Sequence, residues 1–158
     1  MYTFSKRGLT ALTKLEGFKP SVYKDSAGLL TIGVGHLLTP AEQASGQLES
    51  IDAMWKHGLA DDEVIALLER DVQRFVTAVN SAVSVRLFQV EFDALVCFAF
   101  NIGTSAMQKS TLLRKLNLGS YADVPMELRK WNKAGGRVLQ GLVNRREAEI
   151  KMWESGTY

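Results

Sequence analysis

The sequence predicts an α+β protein, with a small β-sheet near the N-terminus and helices elsewhere. Two stretches, about residues 62–79 and 88–101, carry apolar side chains at helical spacing. Residues 22–38 instead read as a hairpin or small sheet around the turn signal Asp25-Ser26-Ala27-Gly28. The chain has 158 residues, only three prolines and no Pro/Gly/Ser-rich linker, so it reads as one domain.

Taken in order, residues 5–17 predict a short helix. Ser5 is its N-cap, Leu9 and Leu12 form its apolar stripe, and Gly17 ends it. Thr39-Pro40-Ala41-Glu42 carries an N-cap threonine, a proline at the first helical position and a glutamate at the third. Residues 43–60 are polar and ambiguous. The stripe from Val64 through Val72 to Val79 defines a long helix, and Phe88 to Asn101 a second, apolar on most faces. Phe88, Phe92, Phe98 and Phe100 are mostly core by spacing, although the helix end at Phe100-Asn101 could face a cleft. Ser110 or Thr111 caps a further helix that ends near Gly119, and another approaches Trp131. Asn132 to Gly136 reads as a loop, and Gly141 to Glu154 as the last helix.

Composition narrows the chemistry. Hydrophobic residues make up 46% and charged residues 23%, which is ordinary for a soluble globular protein. Cys97 is the only cysteine and reads as an inert core residue, so no intrachain disulfide or multi-cysteine metal site is possible. With only His36 and His57 besides, no metal site and no cofactor is expected. Net charge is +2, but Lys and Arg outnumber Asp and Glu nine to five in residues 111–158. Such a bias suits an anionic polymer, and is equally common on plain solvated surfaces. The N-terminal residues lack the apolar core of a signal peptide. The longest apolar run, Ala94 to Phe100, is seven residues. A membrane-spanning helix needs roughly 20.

Three polar residues stand out. Glu16 falls on the Leu9/Leu12 stripe and in the last helical turn. A charged carboxylate is costly there unless paired or protonated. A carboxyl that keeps its proton is what a general acid requires. The plainer alternative is a half-exposed glutamate satisfied by an arginine. Asp25 opens a turn, where aspartate also serves simply by bonding its own backbone. Thr31 follows from strand parity: Leu30, Ile32, Val34 and His36 share a core face, leaving Thr31, Gly33 and Gly35 on a nearly bare one. Such a face admits a flat polymer, or close packing of another element. His36 itself reads as a structural histidine bonded to an acid. An acid, a second carboxylate in a polar turn and a hydroxyl are the parts of a glycosidase, which needs no cofactor. No P-loop, GxGxxG, GxSxG or HExxH competes.

These residues sit in longer strings. Leu15-Glu16-Gly17, Tyr23 to Gly28 and Thr31 to His36 resemble the bacteriophage lysozymes of glycoside hydrolase family 24. Glu16, Asp25 and Thr31 follow one another with eight and five residues between them. The likeness continues through residues 88–103, 110–117 and 131–149 and covers most of the chain.

The resemblance implies a two-lobed lysozyme-like fold. A β-containing lobe at about 18–60 is joined by a long helix at about 62–80 to a helical lobe at about 81–158, which also takes helix 5–17. A substrate cleft lies between the lobes. It implies a muramidase that hydrolyses the β-1,4 bond between N-acetylmuramic acid and N-acetylglucosamine in peptidoglycan, and so lyses the bacterial host. Glu16 is then the general acid, and Asp25 and Thr31 hold the attacking water, an inverting arrangement. Leu37, Phe100 and Asn101 would line the cleft. Arg145 would pair with Glu16, and His36 with Asp71. The expected partner is peptidoglycan, with no nucleic acid and no stable membrane anchor. A monomer is expected, waiting in the host cytoplasm until a holin opens the way to the wall. The alternative is a non-catalytic wall-binding protein on the same scaffold. A lytic transglycosylase would differ in its anhydro-muramic ends, and a membrane-active C-terminal part in not needing Glu16.

Overall fold

In the computed structural model, which describes residues 1–158, the first helix, α1 (Lys6–Glu16), begins where Ser5 Oγ accepts the Gly8 N–H at 3.0 Å. The chain divides into two compact units. One is Leu9–Gln73; the other joins Met1–Gly8 to Arg74–Tyr158.

In the unit Leu9–Gln73, Leu9 and Leu12 are buried and Gly17 closes α1 with a bond to the Thr13 carbonyl. Strands β1 (Lys19–Lys24), β2 (Leu30–Gly33) and β3 (His36–Leu37) form an antiparallel sheet in sequence order. Helix α2 (Pro40–Ser45) starts with the reciprocal cap that Thr39 and Glu42 predict, and Gly46 ends it in the left-handed region. The ambiguous stretch after it is a small hairpin, β4 (Gln47–Leu48) with β5 (Ala53–Met54), then one 3-10 turn at Trp55–His57. Trp55 anchors it: its buried Nε1 donates to the Glu42 carbonyl at 2.8 Å. Helix α3 (Asp61–Ala82) opens with Asp61, Asp62 and Glu63, which suit the positive helix end. Val64, Leu67, Leu68 and Val72 give this unit its core, with Leu12, Ile32 and Leu48.

The sheet corrects the sequence reading in one respect. Residues 29–38 are not one strand. The chain reverses through Gly33, Val34 and Gly35, and both glycines have positive φ (+68° and +76°). His36 therefore sits opposite Ile32, and Leu37 opposite Thr31. His36 does share a face with Ile32, but by pairing across the turn rather than by parity along one strand. The expected bare face is also covered. Thr31 is 4% exposed, and a side chain on Gly33 would meet Leu67 at 3.4 Å. The glycines serve the turn and the packing.

The other unit is helical beyond the end of α3. Helix α4 (Gln89–Ile102) is buried on most faces, with Phe92, Leu95, Cys97 and Phe98 all but inaccessible. Phe88 departs from its expected core role. It stands at the cap position before α4 and is 78% exposed. Helices α5 (Thr104–Gln108), α6 (Thr111–Asn117), α7 (Val124–Arg129) and α8 (Gln140–Ser155) complete the unit, and α8 packs on α4 and α7. Ser110 caps α6 through Leu113 N. The expected loop at 132–136 opens a hairpin, β6 (Lys133–Ala134) with β7 (Arg137–Val138), turned by Gly135 and Gly136. Asp93 on α4 is fully buried and ties the unit's ends. It accepts from Ser5 N and Oγ, Gln89 Nε2 and Tyr158 OH. No helix is long and apolar enough to cross a membrane.

Candidate active site

Asp25 sits in the β1–β2 turn, and the turn is built on it. Its N–H bonds the Leu29 carbonyl and its carbonyl takes the Gly28 N–H, both at 2.9 Å. Its side-chain Oδ1 accepts from Ala27 N at 2.9 Å and Leu29 N at 2.8 Å. The second oxygen, Oδ2, bonds no protein donor. The turn thus fixes the carboxylate through one oxygen and leaves the other for a ligand or water.

Glu16 is the last residue of α1 and is half-buried. Thr31 lies on β2, and its hydroxyl donates to the Leu29 carbonyl at 3.1 Å. That proton commitment leaves the Thr31 oxygen as an acceptor. Both the Asp25 turn and Thr31 are therefore tied to Leu29.

The register adds a residue that sequence reasoning missed. Tyr23 on β1 pairs with Thr31, and Thr31 pairs with Leu37 on β3. Directly opposed residues share a face, so Tyr23, Thr31 and Leu37 form one row across the sheet. Burial, then the negative charges of Asp25 and Glu16, push the Tyr23 phenol above its usual value of 10.0. The phenol remains a neutral donor near neutral pH. Lys19 Nζ lies 4.1 Å from the Tyr23 ring centre. The available signal was parity: Tyr23 and Asp25 are two residues apart.

His36 is held from two sides. Nδ1 is 2.9 Å from Asp71 Oδ2 on α3, and Nε2 is 3.2 Å from Glu42 Oε2 on α2. The resemblance implies Asp71 as the partner, whereas Glu42 enters the sequence analysis only as part of a cap. Burial opposes the charge on His36, but bonds and attraction from the two carboxylates outweigh it and raise its pKa above 6.5. Burial likewise acts against a charged Glu42, yet the Thr39 backbone donor and His36 hold its carboxyl below 4.5. The cluster pins β3, and with it Leu37, to α2 and α3.

The remaining expected residues lie in the helical unit. Phe100 on α4 is half-buried against Phe75, with ring centres 4.9 Å apart. Asn101 is exposed. Arg145 on α8 is buried; Nε donates to Glu149 Oε1 at 3.1 Å and Nη2 to the Cys97 carbonyl at 3.0 Å. His57 is exposed.

The fold is α+β, with small antiparallel sheets among many helices. Comparison with known proteins identifies the family. The family profile described as phage lysozyme matches residues 13–149. The endolysin of Bacillus phage PZA is 37% identical over 155 residues, covering 97% of this chain and 55% of that protein. The chain spans about half the length of the PZA and phage B103 endolysins it matches. Among solved structures, the muramidase domain of SpmX from Asticaccaulis excentricus superposes with a TM-score of 0.82 at 28% identity, covering 98% of this chain and 99% of that one. The endolysin from Escherichia coli O157:H7 phage FAHEc1 gives 0.80 at 32% identity, covering 99% and 96%. The chain belongs to the phage lysozyme family.

Proposed function

We propose that this chain is a muramidase of the endolysin type, a single lysozyme domain that hydrolyses the β-1,4 bond between N-acetylmuramic acid and N-acetylglucosamine in peptidoglycan. The observation that carries this reading is the half-committed Asp25 carboxylate, fixed through Oδ1 with Oδ2 left over. The endolysins and the muramidase domain among its relatives support the substrate class.

In this reading Glu16 gives its proton to the leaving glycosidic oxygen as the C–O bond breaks. A water on the opposite face attacks the anomeric carbon. Asp25 Oδ2 takes that water's proton, and the Thr31 oxygen accepts its second O–H. Attack from the far side inverts the anomeric centre, which requires carboxylates roughly 6.5–9.5 Å apart. Leu37, Phe100 and Asn101 act as substrate contacts. The protein works as a monomer and without a cofactor, and reaches the wall from the host cytoplasm by way of a holin.

The test is digestion of purified peptidoglycan by the wild type and by Glu16→Gln, with the new ends analysed. Wild type releases reducing muramic ends of inverted configuration, and Glu16→Gln loses at least about 100-fold in rate. Anhydro-muramic ends would make it a transglycosylase instead. Binding without cleavage by the wild type would make it a wall-binding protein.

A further inference from the structure

Arg146 follows Arg145 on α8 and is 1% exposed. Burying a guanidinium is expensive unless its charge and donors are met. Glu149, itself inaccessible, serves both arginines: Arg146 Nε lies 3.0 Å from Oε2, while Oε1 takes Arg145 Nε at 3.1 Å.

The Arg146 guanidinium also lies over the Phe98 ring, 5.0 Å from its centre, and Nη2 donates to Asn101 Oδ1 at 2.6 Å. Asn101 is on the last turn of α4, with its side chain exposed. Its carbonyl oxygen is committed inward to a cation. Its Nδ2 bonds no protein group, so it offers two N–H donors outward. Unheld, an exposed amide can turn over and offer a donor or an acceptor. A cation on the oxygen forbids the flipped form, which would aim N–H at N–H, and polarises the outward donors.

We propose that Arg146 is a positioning residue that locks the Asn101 amide so that it presents only donors to the wall polymer. The contact selects a carbonyl or carboxylate oxygen, such as an acetamido or peptide carbonyl, and rejects an ammonium group at the same place. This rests on the reading of peptidoglycan as the substrate and names the chemistry of one contact with it.

Binding to insoluble purified peptidoglycan, measured by co-sedimentation in a Glu16→Gln background, tests this without turnover. Asn101→Asp is isosteric; it keeps the Arg146 contact as an ion pair but turns the outward group from donor to acceptor. It weakens binding by at least about tenfold with an unfolding midpoint no lower than its parent's. Arg146→Lys keeps the charge but not the planar fork, and weakens binding about threefold. In an Asn101→Ala background the same change has no further effect on binding. Unaltered binding by Asn101→Asp, or an equal loss from Arg146→Lys with and without Asn101, would overturn the proposal. If Arg146→Lys fails to fold, Asn101→Asp alone decides. Hydrolysis by the Glu16-intact parent with no Asn101 effect removes this inference only. No sedimentation with the wall and no hydrolysis removes the substrate reading as well.

Discussion

Two aspartates, one in each unit, are used in opposite ways. Asp93 in the helical unit is fully buried and spends both oxygens: Oδ1 takes Ser5 N and Gln89 Nε2, and Oδ2 takes Ser5 Oγ and Tyr158 OH. Asp25 in the sheet-bearing unit spends one oxygen on Ala27 and Leu29 and keeps the other. A buried carboxylate holds structure together only when every lone pair that matters is met. A carboxylate meant for a reaction must be rigid and incomplete at once. For the role proposed for Asp25 the β1–β2 turn provides this, because its own N–H groups orient the side chain without consuming it.

The contrast can be broken at its structural end first. Asp93→Ala leaves Ser5, Gln89 and Tyr158 without their acceptor and empties a fully buried position. Denaturant unfolding should show a loss of about 3 kcal/mol, with wall hydrolysis per folded molecule unchanged. If stability barely moves, Asp93 is not the tie described. A smaller effect is expected at the turn that sets the sheet register. Gly33→Ala puts a side chain at φ +68° and should cost about 1 kcal/mol. Thermal unfolding that leaves it as stable as wild type would mean that another residue sets the turn.

The smallest effect is a pH dependence from His36. Its raised folded pKa contributes stability that is complete below about 6.5 and is lost as pH rises through the folded value. Glu42, whose folded pKa is lowered, contributes above about 4.5 and loses that contribution as pH falls through its folded value. The cluster is therefore strongest between these limits. His36→Gln should flatten the decline seen on the alkaline side in a midpoint-against-pH series. A decline that survives the substitution would point to another group.

Much of this was legible in the sequence, for physical reasons. Helices α3 and α4 announce themselves because long apolar stripes have few other solutions. The Thr39 cap is equally direct, since four residues specify its bonds. The sheet was harder. Parity along Leu30–His36 assumes one strand, and two glycines at positive φ end it at Gly33. That error made Thr31 look exposed and hid its row with Tyr23 and Leu37. Glu42 was read as a cap because its second task, on His36, depends on where β3 returns. Arg146 was invisible for a similar reason. Nothing local marks an arginine in Asn144-Arg145-Arg146 as buried, and its partner Asn101 is 45 residues away.

The most direct measurement compares Asp25→Asn with wild type in two assays on one preparation, wall hydrolysis and the unfolding midpoint. Asparagine keeps the Oδ1 acceptor for Ala27 and Leu29 and replaces only the outward oxygen. The midpoint should stay within about 1 °C and hydrolysis should fall at least about 100-fold. Retained hydrolysis with a lowered midpoint would contradict this, and would make Asp25 a turn residue and nothing more.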